Sequence, residues 1–362
     1  MANFGTNTGE KFAKNVLEVM FERSVAAEIT NSDYEGEIKG GGADRVNVLT
    51  FASLGLKSYT GAAMTADTPS ESEAQLVVDQ KKAYYFKIES YAKFTSYVNN
   101  PESSLIQNAG KVLAETIDAY VLGFYGDVAA GNRVGTSYTT GTVTVDVTTG
   151  VVTGSGTTFT SAMVGRGFKA NGHSVWYRVK TYSSSTSIVI EDDKDDVTSA
   201  YTGGAISAGA TYEIEAATKL QVAKTTIYGY ILSLGEKLNQ NKVPKTDRWL
   251  VVPAKIGTLL RQATELIPAV ATAYEDVVKR GLIGMIGGFQ VYENEQVTGN
   301  NTDGYRVLAG HKSFITMAVA FTESGIEDLI GAFGKAYKGL TVYGAKVADE
   351  RRKCGAELFC YV

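Results

Sequence analysis

Residues 99–126 read NNPESSLIQNAGKVLAETIDAYVLGFYG. Asn100 offers a side-chain oxygen to a helix start, Pro101 suits the first helical position, and Glu102 places an acid in the first turn. Apolar groups follow at Leu105, Ile106, Ala109, Val112, Leu113, Ile117, Tyr120, Val121 and Phe124, which is helical spacing. The pattern predicts one helix ending near Gly126, about 25 residues or roughly 38 Å long. A helix of that length is the natural axis of a fold, so the chain on either side is read relative to it.

Upstream, residues 11–29, KFAKNVLEVMFERSVAAEI, repeat the helical period through Phe12, Val16, Val19, Met20 and Ala27. The glycines of GEIKGGGADRVNVLTF end that pattern, and Val46, Val48 and Phe51 alternate as a strand. A polar tip, SYTGAAMTADTPSESE, leads into AQLVVDQKKAYYFKIESYAKFTSYV, which reads as the returning arm of one long hairpin. A lone hairpin has little core and is marginal in water, so this one is expected to lie against a partner.

Downstream, residues 131–215 change character. Thr, Ser, Gly and Val dominate, and short alternating runs appear: TVTVDV, GVVTGSGTTFT, SVWYRVKTY, TSIVIED and TYEIE. Strands at this spacing with turn residues between them predict a small all-β sandwich or barrel. Thr belongs in half-exposed strands and is no sign of disorder here. Helical period then resumes from Ala216 through Leu220, Ala223, Ile227, Ile231, Leu234 and Leu238. A short strand follows in RWLVV, with Pro253 as a stop before another short helix. GGFQVYENEQV, YRVLAGHKSFITMAVAF, GLTVYGAKV and AELFCYV read as strands. The class is therefore α+β, without βαβ repetition or a glycine-rich phosphate loop.

Composition narrows the function. The 362 residues are 44% hydrophobic, with 39 Gly and only 5 Pro, which is globular. A net charge of −4 argues against a dedicated nucleic-acid binder. Cys354 and Cys360 are placed on one strand face, poor disulfide geometry, and are read as reduced and partly buried. Two Cys and two His are too few for a dedicated zinc site. The first residues form no signal peptide, and no apolar run is long enough to span a membrane.

Catalytic constellations are equally thin. His173 and His311 have no nearby Cys nucleophile. Ser90 and Lys93 match a serine–lysine acylation spacing without its companion motifs, and Gly154-Ser155-Gly156 lacks the spacing of a nucleophile elbow. The acidic run at Asp192, Asp193, Asp195 and Asp196 is a weak calcium candidate, lacking the Gly and distal Glu of an EF-hand loop. Arg351-Arg352-Lys353 reads as a salt-bridging turn ahead of a nucleic-acid contact. Trp176 and Tyr177 are read as core of the β insert ahead of a sugar-binding pair. No enzyme activity and no cofactor is expected.

The collinear order of these pieces resembles the major capsid proteins of tailed bacteriophages, with the Hong Kong 97-type shell fold. The residues that carry it are the N-terminal helix, the hairpin ADRVNVLTF…SYTGAAMTADTPSESEAQLVVDQKKAYYFKIESYAK, the helix 101–126, LGEKLNQNKVPKTDRWLVVPAKIGTLL, GLIGMIGGFQVYENEQV, YRVLAGHKSFITMAV and KGLTVYGAKV. The resemblance implies an N-terminal arm at 1–35, an extended loop with the start of a peripheral domain at 36–98 and a spine helix at 99–130. It places an inserted β domain at 131–215, an apical domain at 216–336 and closing strands at 337–362. It implies a homo-oligomer of hexamers and pentamers in an icosahedral shell, with Tyr59, Thr60, Met64 and Thr65 at the extended-loop tip as inter-subunit contacts. Further implied partners are a separate scaffolding protein, a portal, decoration proteins and non-specifically packaged double-stranded DNA, with no membrane. The location implied is the virion, after synthesis in the bacterial cytoplasm. The alternative expectation is a tail or fibre protein whose β module binds a surface.

Overall fold

The computed structural model describes residues 24–32, 45–51, 71–89, 101–194, 200–263, 282–329 and 333–362. The chain divides into two compact units, Met1–Asp118 with Ile315–Glu350 and Ala119–Phe314 with Arg351–Val362.

In the first unit, a short helix α1 (Ala26–Ile29) starts with its amides turned to a carboxylate on the long helix. Ser24 Oγ donates to Asp118 at 2.6 Å, and the amides of Val25 and Ala26 donate to it at 3.2 and 2.9 Å. Asp118 thus supplies from 92 residues away the acceptors that a local cap would give. Strand β1 (Arg45–Phe51) pairs antiparallel with β2 (Glu71–Val77), in register from Arg45↔Val77 to Phe51↔Glu71. The hairpin tip and most of the N-terminal helical stretch lie outside the described residues.

The returning arm is not one continuous strand, contrary to the alternation. It breaks at Val78–Asp79, and β3 (Gln80–Glu89) pairs instead in a second sheet. There it lies along β20 (Gly334–Lys346), which pairs on its other side with β19 (Thr316–Asp328). Gly344 permits the switch: a Cβ there would sit 2.8 Å from the Val78 Cα. One face of this sheet gathers Tyr84, Phe86, Ile88, Ile326 and the buried Tyr337, with Phe86 and Tyr337 stacked at 5.3 Å. The long helix α2 runs Pro101–Leu122, followed by a 3-10 turn over Gly123–Asp127.

The second unit holds a framework sheet and the β insert. In the framework, β14 (Arg248–Val252) lies between β16 (Phe289–Glu293) and β18 (Gly304–His311). All five residues of β14 are buried, as a central strand covered on both faces requires. Strands β21 (Gly355–Tyr361) and β15 (Leu282–Ile286) extend the sheet. The two-residue strands β4 (Arg133–Val134) and β13 (Leu220–Gln221) each pair parallel with β21. Helices α3 (Ile227–Gln240) and α4 (Ala254–Gln262) bury Ile227, Ile231, Leu234, Leu238, Ile256 and Leu260 in this core. Helix α3 starts eleven residues later than the sequence period suggested. Ala216 lies in a strand with φ 46°, and Leu220 pairs with Cys360, so strand pairing overrides a spacing that only imitates a helix.

The insert is an eight-stranded antiparallel sheet among the described residues. Strands appear within the runs predicted from sequence: β6 (Thr142–Val145), β7 (Val151–Ser155), β9 (Tyr177–Ser184), β10 (Ser187–Asp192) and β12 (Tyr212–Thr218). Three more were not legible beforehand: β5 (Thr136–Tyr138), β8 (Gly167–Ala170) and β11 (Ile206–Ala210). Their Gly, Ser and Ala content leaves little alternation to detect. The interior is Val143, Val145, Val152, Phe159, Phe168, Val179, Ile188, Ile190 and Ile214, closed by Tyr177, Tyr201 and Tyr212. Val175, predicted to alternate with Tyr177, is exposed and precedes the strand.

Candidate functional site

Two features of the described residues go beyond fold maintenance. In the first unit, β3 and α2 form the walls of a cleft of about 360 Å³. Lys82, Tyr84 and Phe86 face Leu105, Ala109 and Leu113 across it. On its rim are Tyr85 and Val112, 68% and 53% exposed, an apolar pair left in water. At the end of the β19–β20 hairpin, Phe333 is 90% exposed. Large side chains in such positions suit contact with another surface.

The second unit carries a buried cluster of charges. Arg133 on β4 bonds Glu215 of β12 at 2.9 Å and lies 3.2 Å from Glu357 of β21. Glu357, fully buried, also meets Arg166 at 2.8 Å and Arg306 at 3.1 Å. Arg306 lies over the Phe359 ring at 3.4 Å, with Arg166 5.3 Å from the same ring. Glu215 further accepts the amides of Gly131 at 2.7 Å and Gly167 at 3.2 Å. Burial opposes the Arg133 charge, but Glu215 and Glu357 outweigh it and hold its pKa above the ordinary guanidinium value. Burial pushes the Glu215 carboxyl above its usual range, against the pull of Arg133 and the Gly131 amide. Nothing in the sequence marked these residues, because paired members such as Arg133 and Glu357 lie 224 positions apart.

The acidic run does not gather in its described part. Asp192 accepts the Thr202 amide and hydroxyl at 3.0 and 2.6 Å, whereas Asp193 accepts the Ala130 amide at 2.6 Å and Arg352 at 2.7 Å. Asp195 and Asp196 lie outside the described residues, as do Ser90, Lys93, Tyr59, Thr60, Met64 and Thr65. Among the described residues no three His, Cys, Asp or Glu side chains group as metal ligands. Arg351-Arg352-Lys353 forms part of a 3-10 turn in which Arg352 is buried against Asp193, a salt-bridging role. His311 takes its bonds from the Ser313 amide and hydroxyl, and burial lowers its pKa. His173 lies 3.5 Å from the Tyr177 hydroxyl. Tyr177 is core, while Trp176 is half-buried against Gly131. Cys360 is buried and Cys354 half-buried, both free thiols. No helix among the described residues is long and apolar enough to cross a membrane.

No protein-family model and no curated protein sequence matches the chain. Solved structures do. The chain is similar to a structure from Mycobacterium phage Che8, at 16% identity and TM-score 0.56, covering 93% of this chain and 91% of that one. It is similar to the capsid of Ralstonia phage GP4, at 10% identity and TM-score 0.55, over 94% and 92% of the two chains. A structure from Microbacterium phage Oxtober96 matches at 11% identity and TM-score 0.50, over 93% and 90%. The fold is the mixed α+β fold of these phage structures, a capsid among them, shared along nearly the whole length.

Proposed function

We propose that the chain is the major capsid subunit of a tailed bacteriophage, a structural protein that self-assembles into the icosahedral head around double-stranded DNA. The observation that carries the reading is the length of the structural match: 94% of this chain and 92% of the GP4 capsid chain superpose in one fold. A partial match would fit a borrowed domain; a match end to end fits a whole subunit. The matched structures lend no support to the tail or fibre alternative.

The exposed Tyr85, Val112 and Phe333 suit this role, because shell subunits leave apolar groups for their neighbours to cover. Many modest contacts repeated between copies suffice, since each gains from the last through effective concentration. The loop-tip residues Tyr59, Thr60, Met64 and Thr65 are proposed as contacts to a neighbouring subunit. Hexamers and pentamers, a separate scaffolding protein, a portal and decoration proteins belong to the same proposal, as does synthesis in the host cytoplasm. The reading assigns no catalytic residue and no cofactor. Negative-stain microscopy of the expressed protein tests it: shells, tubes or capsomer rings are expected, and discrete trimeric rods would overturn it.

A further inference from the structure

We propose that the β insert is a separately folded body joined to the framework through Gly135 and the chain after Thr218, and that the buried charge cluster is the lock holding it in one orientation. The insert and the framework have separate apolar cores with no residue in common. What joins them is largely polar, beside Trp176 of the insert packed on Gly131. Three ion pairs cross the joint, each with one member on either body: Arg133 with Glu215, Arg166 with Glu357, and Arg352 with Asp193. The amides of Ala130 and Gly131 donate across it to Asp193 and Glu215. Buried charges of this kind specify one geometry well, but they hold it through a few directional bonds in place of a continuous apolar contact.

The backbone supplies the second, independent observation. The chain leaves β4 for the insert at Gly135 and leaves the insert again after Thr218, the end of β12, whose Ala216 lies against Gly135. A Cβ on Gly135 would lie 2.6 Å from the Ala216 Cα, so only glycine passes here. Ala216 itself has φ 46°, the left-handed region, which is strained for a residue with a Cβ. The ladder between β12 and β5 also shifts register between Ile214 and Thr218, around this residue. Strained backbone thus persists beside the point where the chain enters the insert, as it does at switch regions. Opening the lock leaves both apolar cores intact. The inference does not depend on the shell reading.

Amide hydrogen exchange on the full-length E357Q protein tests it. Glu357→Gln keeps the shape and removes the charge that three guanidiniums share. The expected result is exchange at Ala130 and Gly131 faster by about tenfold or more, with Ile188 and Ile190 in the insert and Leu250 and Leu308 in the framework unchanged within about twofold. Exchange rising through both cores would overturn the proposal, since the cluster would then be one part of a single cooperative fold. Unchanged exchange at Ala130 and Gly131 would overturn it as well. Should E357Q not fold, R352M removes the pair with Asp193 and the bond to the Asp127 carbonyl while leaving the Glu357 pairs in place, and the same pattern at smaller amplitude is expected; its absence there is equally decisive.

Discussion

Arg166 Nη1 lies 2.8 Å from Glu357 Oε2, joining two residues 191 positions apart inside a site from which water is excluded. Glu357 is the point where the insert and the framework sheet share a charge. Its carboxylate is matched by Arg133 and Arg306 as well, so a single substitution perturbs several partners at once.

Removing Arg133 is expected to be more damaging than removing the pair it makes. R133A leaves Glu215 buried without its guanidinium, at a cost of about 3–5 kcal/mol. The double replacement R133M with E215L takes away both charges but leaves the Gly131 and Gly167 amides without their acceptor, so it is expected to be less destabilised than R133A without exceeding wild type. Urea denaturation of the unassembled subunit measures both. A double variant as unstable as R133A would show that the fold depends on the charges themselves.

Y85S and V112S act on assembly and leave folding alone. Both side chains are mostly exposed, so the isolated subunit should change stability by no more than about 0.5 kcal/mol. Light scattering and microscopy of assembly reactions should show fewer or no particles, most clearly in the double variant. Normal assembly would remove the cleft rim from the contacting surface.

Alkaline pH should destabilise the second unit before ordinary surface titration does. Burial, helped by Glu357, pushes the Cys360 thiol up to about 12 from its usual value near 9. Burial likewise raises Tyr201 to about 12 from near 10, and pushes Tyr212 higher still. In the unfolded chain these groups ionise at their usual values, so the stability they contribute is full below about pH 9 and declines as pH rises toward 12. Urea midpoints should fall steadily across that window, and less steeply in C360A and Y201F. At pH 8 a thiol reagent should modify the half-buried Cys354 and spare Cys360.

Deleting the insert tests where its borders lie. The segment 131–215 includes Asn132 and Arg133, yet Arg133 pairs through β4 with β21, and the Asn132 side chain donates to the carbonyls of Lys353 and Gly355. Joining Gly135 to Lys219 keeps those bonds and crosses a short gap, since Gly135 already lies against Ala216 and Thr218. This deletion should give a soluble, folded subunit. Joining Ala130 to Ala216 should give a less stable one, by circular dichroism melting. Equal behaviour would show that β4 adds nothing to the framework.

The long helix was legible because Asn100, Pro101 and the apolar spacing from Leu105 to Val121 are all local. So were β14 with its stop at Pro253, and the insert strands rich in Val, Ile and Thr. The start of α3 was misplaced because Ala216 and Leu220 keep helical spacing while belonging to strands whose partners are distant. The break at Val78–Asp79 was missed for the same reason, since alternation continues across it while the pairing partner changes from β1 to β20.

The sequence by itself determined where the chain coils, where it extends and which faces are apolar, because these follow from backbone preference and side-chain period over a few residues. Only the tertiary structure decided that Arg133, Arg166, Arg306, Glu215 and Glu357 share one buried site. Charge pairing in a dry interior depends on distances through space, and residues this far apart leave no periodic trace of it along the chain.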